Sequence, residues 1–374
     1  LHIILTANSC FNIVNFRSGL VRALVEQGHR VTVLAPVDAF SENIEEIGAE
    51  FHHIAIDKKG LSPIRDAALC LRFAGIFLKL KPDIILSFTI KNNIFGGLAA
   101  RVTGKEFVPC ITGLGTAFLS ASWLQRLVVN LYRPALAKCQ KVLFQNGDDE
   151  ALFLSLGIVR QGQALHVPGS GVDTLKFAPA EYPKNKKTTF LMVGRLLKDK
   201  GVFEFVEAAQ TAQERGLPFR FWLIGGTDHE NRTAVSQETA LSWVKSGVVE
   251  YFGETDDVRP LVAQANCVVL PSYREGLPRS LLEACSMARP VIATDVPGCR
   301  DVVEHGKNGY LCEVQDSRSL LEAMERFSNL KFNEQRKMGQ EGHVLVESRF
   351  SERKVLDVYL GLISHITCSR SDLI

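Results

Sequence analysis

Two carboxylates with seven residues between them, Glu275 and Glu283, stand in Ser272-Tyr-Arg-Glu-Gly-Leu-Pro-Arg-Ser-Leu-Leu-Glu-Ala284, directly after the apolar run Cys267-Val-Val-Leu-Pro271. The pattern reads as strand, sharp loop and helix. Pro278 suits the first helical turn, where its missing N–H would have had no intrahelical partner. Glu275 then lies in the loop, and Glu283 projects from the next turn. In open α/β folds such a loop sits at the carboxyl edge of the sheet, against a helix N-terminus that favours anions. Both acids are expected to face one ligand there. A second element, Phe190-Leu-Met-Val-Gly-Arg-Leu-Leu-Lys-Asp-Lys-Gly201, supplies the opposite charge. Arg195 follows a strand and Gly194, which lets backbone approach a ligand closely. Lys200 precedes Gly201 at a helix start, where unpaired N–H groups and the helix dipole also favour an anion. Taken singly, each motif also fits ordinary surface chemistry, a loop cap or a solvated helical face.

The acidic element resembles the E-x7-E segment of retaining glycosyltransferase family 4, enzymes of the GT-B fold that move a sugar from a nucleotide diphosphate onto an acceptor. The strand ending in Gly194-Arg195 and the following Lys200-Gly201 are similar to that family's phosphate-facing loop. Leu223-Ile-Gly-Gly226, Val249-Glu-Tyr-Phe-Gly253 and Arg289-Pro-Val-Ile-Ala-Thr-Asp-Val-Pro-Gly298 resemble its later strands, and Asn308-Gly-Tyr-Leu311 its penultimate turn. The likeness is strong over residues 188–350 and looser before them. It implies that Arg195 and Lys200 bind the donor diphosphate and stabilise the departing nucleotide, as fixed cations do where charge develops in a transition state. It assigns Glu275 to the donor sugar hydroxyls and Glu283 to the nucleotide ribose. Backbone at Gly276 and Leu277 is expected to cradle phosphate, with Gly194 and Gly225 completing the nucleotide-sugar set. The implied route is front-face attack by an acceptor hydroxyl, with a diphosphate oxygen as base and the configuration retained. Neither Glu is then a nucleophile; glycosidase chemistry would need the pair to flank the bond at a set separation. No metal or other cofactor is implied, and the chain contains no Asp-x-Asp.

The first half departs from the family's commoner pattern. Where many members carry a glycine pair in the first loop, this chain has Asn8-Ser-Cys-Phe-Asn-Ile-Val-Asn-Phe-Arg17. Where many carry a His after the fourth strand or in the following loop, it reads Ser87-Phe-Thr-Ile-Lys-Asn-Asn93 and Ile111-Thr-Gly-Leu-Gly-Thr116. The last two segments resemble a branch that builds lipid-linked oligosaccharides, including transferases adding N-acetylgalactosamine to undecaprenyl-diphosphate sugars. Asn15, Arg17, Lys91 and Thr112 become candidates for the acceptor or the donor phosphate. Short Gly and Asn runs also serve turns, so purely backbone roles stay open for them.

Positioning these groups requires two alternating α/β series. Strands are expected at 2–5, 30–34, 51–56, 83–88, 107–111, 141–145 and 164–167, with a helical pattern over 16–27. A second series has strands near 189–193, 220–224, 248–252, 267–270 and 290–294. Alternation of this kind predicts parallel, doubly wound sheets. The expected architecture is GT-B: two Rossmann-like domains across a cleft, joined by a turn-rich linker over 168–187. Residues 1–175 form an acceptor domain, onto which a last helix, about 352–366, packs back; residues 186–350 form the nucleotide-sugar donor domain.

At 374 residues the chain can hold two cores, and its net charge of +2 hides an asymmetry. Residues 52–141 hold 13 Lys and Arg against 4 Asp and Glu, which marks a surface facing something anionic. Lys58, Lys59, Arg65, Arg72, Lys79 and Lys81 punctuate one apolar helical pattern; Trp123, Arg126, Tyr132, Arg133, Lys138 and Lys141 punctuate another. Such helices either cover a Rossmann sheet or dock on anionic headgroups. Nucleic acid is not expected, because no recognition motif accompanies the charge. No apolar run is long enough to span a membrane. The opening Leu1-His-Ile-Ile-Leu5 reads as a first strand rather than a secretory leader, and the missing initial Met points to a trimmed start. Nine scattered Cys, none in Cys-x-x-Cys spacing, read as reduced core thiols of a cytoplasmic protein. The expected function is transfer of a hexose or N-acetylhexosamine from a UDP-sugar to a lipid-linked saccharide in surface polysaccharide or glycan assembly, peripherally on the cytoplasmic face of the membrane. A nucleotide-sugar-binding subunit without catalysis, and a sugar-nucleotide epimerase on the same fold, are the alternatives.

Overall fold

The computed structural model describes residues 1–57, 62–114, 123–227 and 233–371, with only the backbone of 369–371. Lys58, Lys59, Gly115 and Thr116 lie outside the described residues. The chain divides into two compact units, Leu1–Ser170 with Glu352–Ile374, and Gly171–Ser351.

In the first unit strands alternate with helices: β1 His2–Thr6, α1 Cys10–Glu26, β2 Arg30–Ala35, α2 Asn43–Glu46, β3 Glu50–His53, α3 Pro63–Leu80 and β4 Ile84–Phe88. Then come a π-helical turn Asn92–Gly96, α4 Gly97–Thr103, β5 Glu106–Ile111, α5 Trp123–Leu136, β6 Val142–Phe144, α6 Gly147–Ser155 and β7 Ala164–His166. The strands form one sheet in the order β3-β2-β1-β4-β5-β6-β7, every pairing parallel. Its central strands are apolar almost throughout because helices bury both faces. The strand order reverses between β1 and β4, so the loops leaving those strands diverge at the carboxyl edge and make room for a ligand.

The second unit repeats the plan with β8 Thr188–Val193, a 3-10 turn Lys198–Lys200, α7 Val202–Glu214, β9 Phe219–Ile224, α8 Gln237–Lys245, β10 Glu250–Tyr251, α9 Arg259–Gln264 and β11 Cys267–Leu270. It continues through α10 Arg279–Ser286, β12 Val291–Thr294, α11 Cys299–Val302, β13 Gly309–Cys312, α12 Ser317–Ser328 and α13 Phe332–Arg349. The sheet order is β10-β9-β8-β11-β12-β13, again parallel, with its reversal between β8 and β11. The chain then returns to the first unit as α14 Glu352–Ser371, whose Val355, Tyr359, Leu362, Ile363 and Ile366 enter the core under β1 and β4.

Several sequence expectations change. The first loop is only three residues long, because Ser9 accepts the Asn12 N–H and starts α1 at Cys10; Asn15 is therefore helical, as is Arg17, which the expected 16–27 pattern already contained. Asn308-Gly-Tyr-Leu311 is not a turn alone: Gly309–Cys312 pairs with β12 as an edge strand. Pro278 is the cap residue, one position before the first helical turn. Residues 171–187 are no open linker. Val172 and Phe177 are buried in the second core, and the Tyr182 hydroxyl donates to the Asn266 carbonyl and Gln335 Oε1, each at 3.1 Å. Arg289, 0 % exposed, holds this segment down. Its guanidinium donates to the carbonyls of Ala180, Glu181, Val262, Ala263, Met287 and Ala288, and burial pulls its pKa down to about 10. A buried cation is tolerated only when surrounded by acceptors in this way. Among the described residues no helix is long and apolar enough to cross a membrane.

Candidate active site

The acidic and basic elements meet at the carboxyl edge of the second sheet, beside its switch point. β11 delivers the loop Ser272–Leu277 and β8 the loop carrying Arg195 and Lys200. Backbone contacts lock the two together. The Tyr273 N–H donates to the Asp199 carbonyl at 2.9 Å, and Ser272 Oγ donates to the same carbonyl at 3.1 Å. Gly201 sits at φ +74°, and a Cβ there would lie 2.0 Å from the Pro271 carbonyl oxygen. Only glycine permits both the left-handed backbone and this approach, which brings Lys200 under the end of β11.

Lys200 Nζ then donates to Glu275 Oε1 at 2.5 Å, in a pair whose side chains are 24 % and 12 % exposed. Glu275 is held from the other side by the loop after β12: its N–H donates to the Pro297 carbonyl at 3.3 Å, and the Gly298 backbone packs on the carbonyls of Glu275 and Gly276. Thr294 Oγ1 donates to the Ser272 carbonyl. Gly225, after β9, closes against the Gly194 carbonyl, where a Cβ would stand 1.8 Å away. Four successive strand ends thus fix Gly194, Lys200, Gly225, Glu275 and Gly276 in one cluster. Arg195 is exposed at its rim, and Gly276 is buried within it. Leu277 is half-buried, on the way into α10.

Glu283 stands on α10 beside a different cation. Its Oε1 accepts from Arg279 Nε at 2.8 Å, one helical turn earlier. Burial raises the carboxyl pKa, against the opposing pull of Arg279 and then Lys176. Each acid of the pair therefore has its own cation, an arrangement the sequence reading did not contain. Sequence reasoning also missed Tyr273, whose hydroxyl donates to Glu204 Oε1 at 2.6 Å and whose pKa is raised by burial and then by that carboxylate. It missed Cys299 as well, a fully buried thiol pushed far up by burial and next by Glu275. Seven of the nine Cys are buried.

The candidates of the first unit gather less tightly. Asn15 Nδ2 donates to the Phe11 carbonyl at 3.2 Å on α1. Arg17 is 7 % exposed: its guanidinium lies 3.8 Å from the Phe88 ring centroid and donates to the Asn12 carbonyl and side-chain oxygens. It braces the end of β4 from within. Lys91 pairs with Asp66 of α3 at 2.7 Å, both 17 % exposed. Asn92 and Asn93 shape the loop, donating to Thr6 Oγ1 and the Cys110 carbonyl, while Thr89 adopts φ +74°. Thr112 is half-buried just beyond β5. Asp66 also lines a cavity of about 400 Å³, with His53, Asp57, Arg65 and Arg72 around it. Among the described residues, no three His, Cys, Asp or Glu side chains cluster at ligating distance.

Comparison with known proteins bears on the family and the fold. Residues 175–344 match the family model described as Glycosyl transferases group 1, and residues 14–169 the Glycosyl transferase 4-like domain. The chain is 27 % identical over 328 residues to an N,N'-diacetylbacillosaminyl-diphospho-undecaprenol alpha-1,3-N-acetylgalactosaminyltransferase of Campylobacter jejuni, covering 83 % of this chain and 85 % of the relative. It is 28 % identical over 290 residues to a UDP-Gal:alpha-D-GlcNAc-diphosphoundecaprenol alpha-1,3-galactosyltransferase of Escherichia coli, covering 73 % of each. Among solved structures, HepE of Anabaena in complex with UDP superposes with a TM-score of 0.77 at 17 % identity, over 98 % of this chain and 100 % of that one. A sucrose-phosphate synthase of Thermosynechococcus elongatus superposes with a TM-score of 0.81 at 18 % identity, over 98 % of this chain and 99 % of that one. With one family model on each half and the GT-B fold throughout, the chain belongs to the family 4 glycosyltransferases.

Proposed function

We propose that this enzyme moves a hexose or N-acetylhexosamine from a UDP-sugar to a lipid-linked saccharide, with retained configuration and without a metal, in surface polysaccharide or glycan assembly. The second unit takes the donor and the first the acceptor. The observation that carries the reading is the Lys200 and Glu275 pair, with Arg195 at its rim, on interlocked loops at the carboxyl edge of the second sheet. Relatives whose names specify undecaprenyl-diphosphate sugars support the acceptor class.

In this mechanism the donor diphosphate competes with Glu275 for Lys200. Once Lys200 turns to the phosphates, Glu275 is released to accept hydrogen bonds from the sugar hydroxyls. Arg195 and Lys200 then face the oxygens on which charge grows as the glycosidic bond to phosphate breaks, where preorganised cations act most strongly. The Gly276 and Leu277 backbone lines the phosphate, and Glu283, exchanging Arg279 for the ribose, fixes the nucleotide. The acceptor hydroxyl attacks from the face the diphosphate leaves, giving its proton to a diphosphate oxygen. Asn15, Lys91 and Thr112 are proposed for the acceptor side, with Arg17 bracing the loop after β4. The enzyme works at the cytoplasmic face of a membrane, in peripheral contact with anionic lipid and not with nucleic acid. Incubation with labelled UDP-sugars and a membrane extract containing lipid-linked saccharides tests the proposal. A lipid-extractable labelled product is expected from at least one donor, and none from any donor would refute it.

A further inference from the structure

Helices α3, α4 and α5 cover one face of the first unit's sheet, with Leu69, Phe73 and Phe77 of α3 and Val128, Val129 and Tyr132 of α5 buried in a common core. Their outer faces consequently look away from the sheet on the same side. Those faces carry an unusual pairing of side chains. On α3, Ile64, Leu71 and Leu78 are 83 %, 74 % and 59 % exposed, and their seven-residue spacing places them in one stripe along the helix. Arg65, Arg72 and Lys79, each one position further on, form a parallel exposed stripe. On α5, Trp123 and Leu127 are 69 % and 42 % exposed, beside exposed Arg126 and Arg133.

The charge is one-sided. The three helices hold six Arg or Lys (Arg65, Arg72, Lys79, Arg101, Arg126 and Arg133) and a single acid, Asp66, which is taken up by Lys91. Arg65 in turn pairs with Asp57, before α3, at 3.2 Å, which leaves five cations with no acid paired to them among the described residues. Water alone gives no reason to keep large apolar groups exposed in register along a helix. A cationic partner would be repelled. A nucleic-acid backbone would satisfy the cations but leave the Ile, Leu and Trp side chains without a matching surface. The interface of an anionic bilayer satisfies both: apolar side chains enter the acyl boundary while Arg and Lys heads, on flexible stems, reach the phosphates.

We propose that the outer face of α3 and α5 is a docking surface for an anionic lipid bilayer. This deepens the functional reading given above by naming the surface that meets the membrane, and rests on that reading only for the biological purpose of the contact. Binding of the full chain to phosphatidylcholine vesicles, with and without phosphatidylglycerol, is measured by sedimentation. The wild type is expected to bind only the anionic vesicles, and less at high salt. Each cation removed lowers the partition coefficient about fivefold, so Lys79→Gln with Arg126→Gln gives a loss of about twenty-five-fold. Leu71→Ser with Leu78→Ser also weakens binding, whereas Lys337→Gln in the second unit does not. Melting temperatures equal to wild type confirm that the variants fold. Anionic-vesicle binding that is absent in the wild type, unchanged in both double variants, or replaced by preferential binding of duplex DNA would overturn the proposal. Transfer to a short-chain, water-soluble acceptor analogue is followed in parallel. Vesicle binding that behaves as expected without any transfer would count against the transferase reading and in favour of the surface.

Discussion

Breaking the Lys200 and Glu275 pair tests the site most finely, because the two partners are expected to respond differently. At 24 % and 12 % side-chain exposure the pair is intermediate between two regimes. Removing one partner of a fully buried pair costs about 3–5 kcal/mol, while a surface pair contributes less than about 1. Lys200→Ala or Glu275→Ala should each cost about 2 kcal/mol, and the double variant no more than either single one, giving a coupling of about 2 kcal/mol. In a unit of this size each variant then melts roughly 4–8 °C lower than wild type. Nucleotide binding separates the partners. Lys200→Ala loses a charge-assisted hydrogen bond to phosphate, worth about 1.5–3 kcal/mol, so UDP affinity falls roughly ten- to a hundredfold. Glu275→Ala removes a competitor for the same ammonium, so UDP affinity holds or rises while transfer from the UDP-sugar is lost. Melting curves on the four proteins and calorimetric titrations with UDP measure both effects. Additive melting shifts, or equal loss of UDP affinity in the two single variants, would refute the exchange mechanism.

Two further outcomes follow from the geometry. Gly201→Ala forces a left-handed residue with a Cβ 2.0 Å from the Pro271 carbonyl oxygen, so the loop must move. A stability loss of about 3 kcal/mol with weakened UDP binding is expected, from the left-handed penalty and the clash together; a change under about 0.5 kcal/mol would contradict the packing described. Glu283 supplies a pH dependence. Its folded pKa is raised above the ordinary 4.5, chiefly by burial, so its contribution to stability is whole below about pH 4.5 and is lost as pH rises through the folded pKa. Glu283→Gln should abolish that decline in melting profiles taken upward from pH 4.5, and an unaltered profile would show that the carboxyl is not buried as described.

The elements were legible in the sequence wherever burial on both faces writes a continuous apolar run, as in Cys267-Val-Val-Leu270 and the stretch ending at Val193. The residue types of the donor site were legible too, because phosphate chemistry demands cations and glycines at strand ends. Partnerships were not. That Lys200 meets Glu275 depends on Gly201 passing under Pro271, a tertiary contact between segments about seventy residues apart. Arg279 and Glu283 were the exception in principle, since a four-residue spacing on a helix is a readable ion-pair signal. Arg17 read as an acceptor or phosphate candidate at the start of the 16–27 helical pattern, because the Phe88 ring it lies against is set by how α1 packs on β4. Arg289 looked like the approach to a strand; the ring of carbonyls that holds it comes from three separate segments, the end of α9, the stretch at Ala180 and Glu181, and the turn after α10.

The central claim, that the second unit binds a nucleotide diphosphate through the cations after β8, is tested most directly by titrating UDP into the wild type and into Arg195→Ala in a calorimeter. One UDP bound by the wild type, with affinity reduced about tenfold or more in the variant, is the predicted result. Equal affinity in the two proteins, or no binding of UDP to the wild type, would contradict it.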